Sequence, residues 1–263
     1  MSFIHTIIIS IVEGLTEFLP ISSTAHMDIV RGLLSVPSSE FIKSFEIIIQ
    51  LGAILAVAVI YSKKVFSSWL YIRNLIIAFI PTGIIGFILY KIIKSYLLGN
   101  ILVEAIALLL GGVIIILFEN HQKKFNKDNI EKVKLEDLTV KQLLTIGTAQ
   151  TLAVIPGVSR SGAVIISGRA LGLGRELITE FSFLLAVPTM LLATLYDIYK
   201  SHLSMSGSQW GSIFTGFVIS FIVALVVIKW FLGYIKKHTF KIFGWYRIIL
   251  GVILLIALFF KVL

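Results

Sequence analysis

Two glutamates four residues apart, Glu13 and Glu17, lead into Ser22, Ser23, Thr24 and His26 within the stretch "EGLTEFLPISSTAHM". On a helix that spacing puts both carboxylates on one face, with the hydroxyls and the imidazole following at a turn. A second stretch, "PGVSRSGA", places Arg160 between Ser159 and Ser161. These residue types suit chemistry at phosphorus. A guanidinium, hydroxyls and the free backbone N–H groups of a helix N-terminus bind an anionic phosphate. Ser23 or a water could attack phosphorus, with His26 three residues on as base or acid. Glu13 and Glu17 could hold a divalent cation that bridges phosphate oxygens, or could position and deprotonate the nucleophile. Together the parts describe phosphoryl transfer on a substrate whose other end is apolar.

Each part also has a plainer role open to it. Hydroxyls favour helix N-caps whatever the function, and a lone histidine is more often satisfied structurally than catalytic. A glutamate pair serves equally well as a proton or cation relay in a transporter. Glycines such as those of "GRALGLGRE" allow close helix packing. His121, His202 and His238 fall near loops and are assigned no role.

The elements that must position these residues lie in a membrane. The chain has 263 residues, 57% of them hydrophobic and only 14% charged, with a mean hydropathy of +0.99. That is too apolar for an ordinary soluble domain. The formal net charge of +9 does not point to nucleic acid, because the basic residues sit in short loops beside apolar spans and form no stripe along a polar helix. Without cysteine there is no disulfide, thiolate metal site or cysteine nucleophile. The start, "MSFIHTIIISIVEG", has no basic n-region and reads as mature protein. An ionisable group at membrane depth costs at least about 2.5 to 3.5 kcal/mol, so several together need a purpose.

The expected fold is an all-α integral membrane protein. Six runs are long enough to span, at about 44–61, 75–93, 101–118, 178–198, 210–232 and 243–261. Two more, about 3–33 and 142–172, are broken by "LPISSTAH" and "IPGVSRSG". Backbone freed at such breaks must be satisfied by protein or water, and both segments read as re-entrant helical hairpins. Sliding the chain by 137 residues sets Glu13 over Gln150, Ser22 over Ser159, Ser23 over Arg160 and Thr24 over Ser161. A single membrane domain of two repeats results, about 1–118 and 142–263, joined by a cytoplasmic linker at about 119–141. Each repeat holds three spans, so the second starts on the opposite side and the repeats are inverted. The loops with Lys63, Lys64, Arg73, Lys123, Lys124, Lys127, Lys132, Lys134, Lys141, Arg169, Arg175, Lys229, Lys236, Lys237 and Lys241 form the richer basic set. Arg31, Lys43, Lys91, Lys94, Lys200 and Lys261 form the poorer one. The positive-inside rule makes the first set cytoplasmic and puts both termini outside.

The sequence resembles the undecaprenyl-diphosphatase, or bacitracin-resistance, membrane phosphatases. "EGLTEFLPISSTAH", "FEIIIQLGAILAV", "PGVSRSGA" and "EFSFLLAVP" occur in the family's order and spacing over nearly the whole chain. The resemblance implies hydrolysis of undecaprenyl diphosphate to the monophosphate carrier used in cell-wall glycan synthesis. It also implies a divalent cation, Mg2+ or Ca2+, and a site facing the outer side of the inner (plasma) membrane. The family's motifs fall on Glu13 and Glu17 as metal or base residues, on Ser22, Ser23, Thr24 and His26, and on Ser159, Arg160 and Ser161. Ser23 is the expected nucleophile if a phospho-enzyme forms; if water attacks, Glu17 and His26 gain in weight. Ala25 and Val164 stand where the family usually has glycine and threonine. The expected partners are a polyprenyl diphosphate lipid and the bilayer. Gly111, Gly112 and Gly251 could mark helix contacts, and a homodimer is compatible with them. A polyprenyl-phosphate flippase or inverted-repeat transporter is the alternative, because broken helices meeting at the midplane also suit alternating access.

Overall fold

A computed structural model of the chain describes residues 1–124, 133–201 and 206–260. Lys127, Lys132, His202 and Lys261 lie outside the described residues. Two short helices come first, α1 (Phe3–Thr16) and α2 (Ser23–Leu33). Three long ones follow: α3 (Glu40–Val65), α4 (Trp69–Ile92) and α5 (Ile101–Lys124). The pattern then recurs with short α6 (Val140–Gln150) and α7 (Arg160–Ala170) and long α8 (Arg175–Ser201), α9 (Gly207–Ile235) and α10 (Lys241–Phe259). Among the described residues, six helices are long and apolar enough to cross a membrane. These are the six runs expected from the sequence.

Most of the spans outrun their hydropathy windows at one or both ends because polar first turns are capped. Ser39, Ser68 and Ser206 accept hydrogen bonds from the backbone N–H of Ile42, Leu70 and Gln209. Helical structure also reaches into both edges of the stretch expected as a linker, about 119–141. Residue 119 is still helical, because α5 runs on to Lys124 with Glu119 buried, accepting from Arg175 Nη2 at 3.2 Å and from the Phe240 N–H at 3.4 Å. At the other edge, Leu135 is buried in a short 3₁₀ turn and α6 is already under way at Val140.

Both segments read as broken consist of two short helices joined by an irregular turn. The bounds of α2 and α7 differ by 137 residues at each end, 160 against 23 and 170 against 33, the offset found from the motifs. Packing follows the same equivalence: α1 lies against α9 as α6 lies against α4, and α5 pairs with α10. Gly147 shows how close these contacts are, since a Cβ there would sit 2.1 Å from the Ala78 carbonyl oxygen. Gly112 and Gly251 sit in the α5–α10 contact within the chain.

The exterior is apolar, with Phe87, Phe214 and Val226 exposed, while Glu13, Glu17, Gln150 and Arg160 are buried. That inversion of a soluble protein's pattern fits a surface solvated by lipid. Phe18, next to Glu17, is fully buried and meets the Phe183 ring of α8 edge-on at 5.0 Å between centroids. The first turn is thereby pinned into the main apolar core, and its polar residues take the remaining direction.

Candidate functional site

Each helical pair presents its key residues from a turn with an unusual backbone. Ser22 opens α2 at φ 71°, and Ser159 opens α7 at φ 73°. A non-glycine residue at positive φ is costly and persists only where its surroundings over-determine it. The matching pair falls on residues aligned by the sequence repeat. Ser159 Oγ caps its helix by accepting from the Gly162 N–H at 3.2 Å, whereas Ser22 makes no side-chain cap bond.

The two turns meet through Glu17. Its Oε2 accepts a hydrogen bond from Ser23 Oγ at 2.6 Å, and its Oε1 accepts from Arg160 Nη2 at 3.0 Å. Arg160 Nη1 donates to the Ser182 carbonyl at 2.7 Å, which fixes the guanidinium plane. Ser161 Oγ donates to the Leu19 carbonyl at 2.9 Å and adds a second tie between the turns. Ser159 Oγ lies 3.1 Å from Ser161 Oγ. Glu17, Ser23 and Arg160 are all buried, where a charge-assisted bond gains most from the low dielectric.

A small polar cavity of about 60 Å³ sits at this junction, lined by Glu17, Ser22, Ser23, Thr24, Ser159 and Arg160 with Gln50. Six of the residues singled out from the sequence therefore share one chamber. Ser161 is not in its lining and acts as a tie. Glu13, one turn before Glu17, is fully buried and also outside the lining; neither of its carboxylate oxygens has a hydrogen-bond partner among the described residues. His26 is likewise outside the lining. Its Nδ1 lies 2.6 Å from the Ser22 carbonyl and its Nε2 2.7 Å from the Tyr246 hydroxyl, with the two rings stacked. A carbonyl only accepts, so Nδ1 carries a proton.

Gln50 and Tyr246 escaped the sequence reading. Gln50 interrupts the apolar run "FEIIIQLGA" and could have been flagged on that ground. Tyr246 carried no such signal, since a tyrosine near a span end is ordinary. A far larger apolar cavity of about 940 Å³ adjoins the chamber, and Gln50, Ala153, Arg160 and Met190 line both. Its walls are α4 and α8, including Ile84, Phe87, Leu192 and Ala193. Chemically, the chamber joins an acceptor-bound hydroxyl to a guanidinium whose Nε has no partner among the described residues, beside a space for a long apolar group.

The family described as Bacitracin resistance protein BacA matches residues 6–253. The chain belongs to this family. Curated relatives agree in length as well as in sequence. A protein of Aquifex aeolicus named undecaprenyl-diphosphatase is 48% identical over 249 residues, 95% of this chain and 96% of its own. Relatives of the same name from Wolinella succinogenes and Bdellovibrio bacteriovorus are 47% and 44% identical, each over 98% of this chain and over 99% and 97% of their own. The BacA match takes in both turns, the first five long helices and α10 as far as residue 253.

The geometry at His26 fixes one expectation. Selective ¹⁵N labelling of histidine should show His26 protonated at Nδ1, and Tyr246→Phe should shift the Nε2 resonance while Nδ1 keeps its proton. A neutral Nε2–H tautomer in the unsubstituted protein would contradict the arrangement.

Proposed function

We infer that the chain hydrolyses undecaprenyl diphosphate to undecaprenyl phosphate and inorganic phosphate. The observation that carries this reading is the continuity of the polar chamber with the apolar cavity through Gln50 and Arg160. A diphosphate head enters the chamber while the isoprenoid tail lies along α4 and α8. The names of the relatives are those of a hydrolase, which disfavours a carrier that moves lipid without cleaving it.

In this account Arg160 binds the terminal phosphate through donors that its protein partners leave free. The Ser23 hydroxyl is poised by Glu17, 2.6 Å away. Ser23 Oγ attacks the terminal phosphorus as Glu17 takes its proton, and the bond to the bridging oxygen breaks, releasing undecaprenyl phosphate. The departing undecaprenyl phosphate carries that proton away from Glu17; water, deprotonated by the regenerated carboxylate, then attacks the phosphoserine, and the bond from phosphorus to Ser23 Oγ breaks with the proton passing from Glu17 back to Oγ. Direct attack by water would use the same base. Thr24, Ser22 and Ser159 hold phosphate oxygens, and His26 orients the Ser22 turn.

A divalent cation, Mg2+ or Ca2+, fits the residues present. Glu13 is a fully buried carboxylate without a hydrogen-bond partner among the described residues, one helical turn before Glu17. No three Asp, Glu or His side chains among the described residues converge as a complete cage, as expected where one or two carboxylates bind and substrate phosphates supply the rest. Glu13 and Glu17 would hold the ion, which would neutralise charge on the phosphate oxygens.

The two helical pairs are read as re-entrant, entering an inner (plasma) membrane from opposite faces as inverted repeats. Both termini lie outside, the loop after α5 lies inside, and the site opens outward.

Purified protein with a long-chain polyprenyl diphosphate should release phosphate with magnesium and not with chelator. Glu17→Gln and Arg160→Ala should each lower the rate by about 10²-fold or more while remaining folded. Lipid binding without phosphate release by the unsubstituted protein would transfer the chamber to a carrier. For orientation, the absence of native cysteine permits single-cysteine labelling: Ser38→Cys should react with an impermeant reagent in intact cells, and Lys134→Cys only after permeabilisation. The reverse result would invert the topology.

A further inference from the structure

Arg247 of α10 is 1% exposed, and no ion pair among the described residues involves it. Instead all five of its N–H donors point at backbone carbonyls. Nε donates to Leu108 at 3.4 Å; Nη1 to Pro20 at 3.1 Å and Val158 at 3.0 Å; Nη2 to Ala107 at 3.0 Å and Gly157 at 2.9 Å. Three of these carbonyls belong to the two site turns. Pro20 lies two residues before Ser22, and Gly157 and Val158 lead directly into Ser159. The other two belong to α5, so one guanidinium refers both turns to the same helix.

A buried, unpaired cation is costly, and joining α5 to α10 does not require one, since these helices already pack closely along their length. The sequence even makes room for it. A Cβ on Gly111 would lie 2.1 Å from Arg247 Nη2, so α5 leaves the slot through which the side chain reaches the turns. Ser22 and Ser159 both hold positive φ, and such conformations need rigid support. We propose that Arg247 is a positioning residue of the active site: by binding the Pro20, Gly157 and Val158 carbonyls together it sets the distance and orientation of Ser23 relative to Arg160. A lysine could not replace it, because one ammonium cannot form the planar five-donor fork.

This inference rests on the diphosphatase reading, and its test separates the two. Phosphate-release kinetics, thermal unfolding and hydrogen exchange of peptides covering 18–24 and 155–162 would be compared for the unsubstituted protein, Arg247→Lys, Gly111→Ala and Leu254→Ala. Leu254 is buried beside Ala105 and Leu108 of α5 and Ala25 of α2 and makes no side-chain hydrogen bond to either turn, so its truncation reports the loss of apolar packing. Arg247→Lys should lower kcat by about tenfold or more with KM within about threefold, the pattern of misaligned reacting groups, and both turn peptides should lose protection together. Gly111→Ala, which displaces the guanidinium without removing it, should repeat this and decides the matter if Arg247→Lys does not fold. Leu254→Ala should lower Tm while leaving kcat and turn exchange as they were. Turn exchange unchanged in the Arg247 and Gly111 variants, or kcat tracking Tm equally in all three, would overturn the proposal. An unsubstituted protein that releases no phosphate would instead overturn the diphosphatase reading, and the exchange data would still decide whether Arg247 holds the turns.

Discussion

The hydrogen-bonded ion pair between Glu17 and Arg160, 3.0 Å apart and buried, is the interaction on which the rest of the structure depends. Its partners are separated by 143 residues in sequence. Burying two charges costs about as much as, or more than, their attraction returns, so the pair is poor as a stabiliser. Its worth lies in what it joins. Arg160 brings the second turn to the carboxylate that holds Ser23, and neither turn alone carries both an anion-binding group and a held hydroxyl.

Keeping that pair in register requires support on every side. Phe18 anchors the residue after Glu17 against Phe183, the Ser182 carbonyl holds the far edge of Arg160, and Ser161 ties its turn to Leu19. The long helices around the site present apolar side chains outward and leave the polar groups to one another. In a bilayer this arrangement is self-enforcing, because a polar side chain turned outward meets hydrocarbon.

Much of this was legible in the sequence. Six spans could be read from hydropathy because lipid-facing helices must be apolar over a fixed length, and the two broken segments because Pro20, Pro156 and their hydroxyl neighbours stand where a span should be continuous. The repeat was legible too, and its offset of 137 residues recurs in the bounds of α2 and α7. The chamber residues stood out as ionisable or hydroxyl groups at membrane depth. Helix ends were less legible, since capped polar turns add length that hydropathy does not register, and α5 extends past Glu119, whose buried carboxylate is taken up by Arg175 and the Phe240 N–H. Harder still were groups acting through backbone. Arg247 reads as a basic residue near a span end, and nothing local reveals that it reaches five carbonyls. The tie between His26 and Tyr246 was equally hidden, because the two stand 220 residues apart.

The central claim is that Glu17 and Arg160 work as one unit, and a double-mutant cycle on phosphate release tests it most directly. Glu17→Gln, Arg160→Gln and the double variant would be compared with the unsubstituted protein at matched folded concentration. Because either substitution alone breaks the pair and dissolves the chamber, the double variant should be little slower than the slower single variant, a coupling of about 1 kcal/mol or more. Losses that add to within about 0.5 kcal/mol, the behaviour of independent sites, would contradict the account.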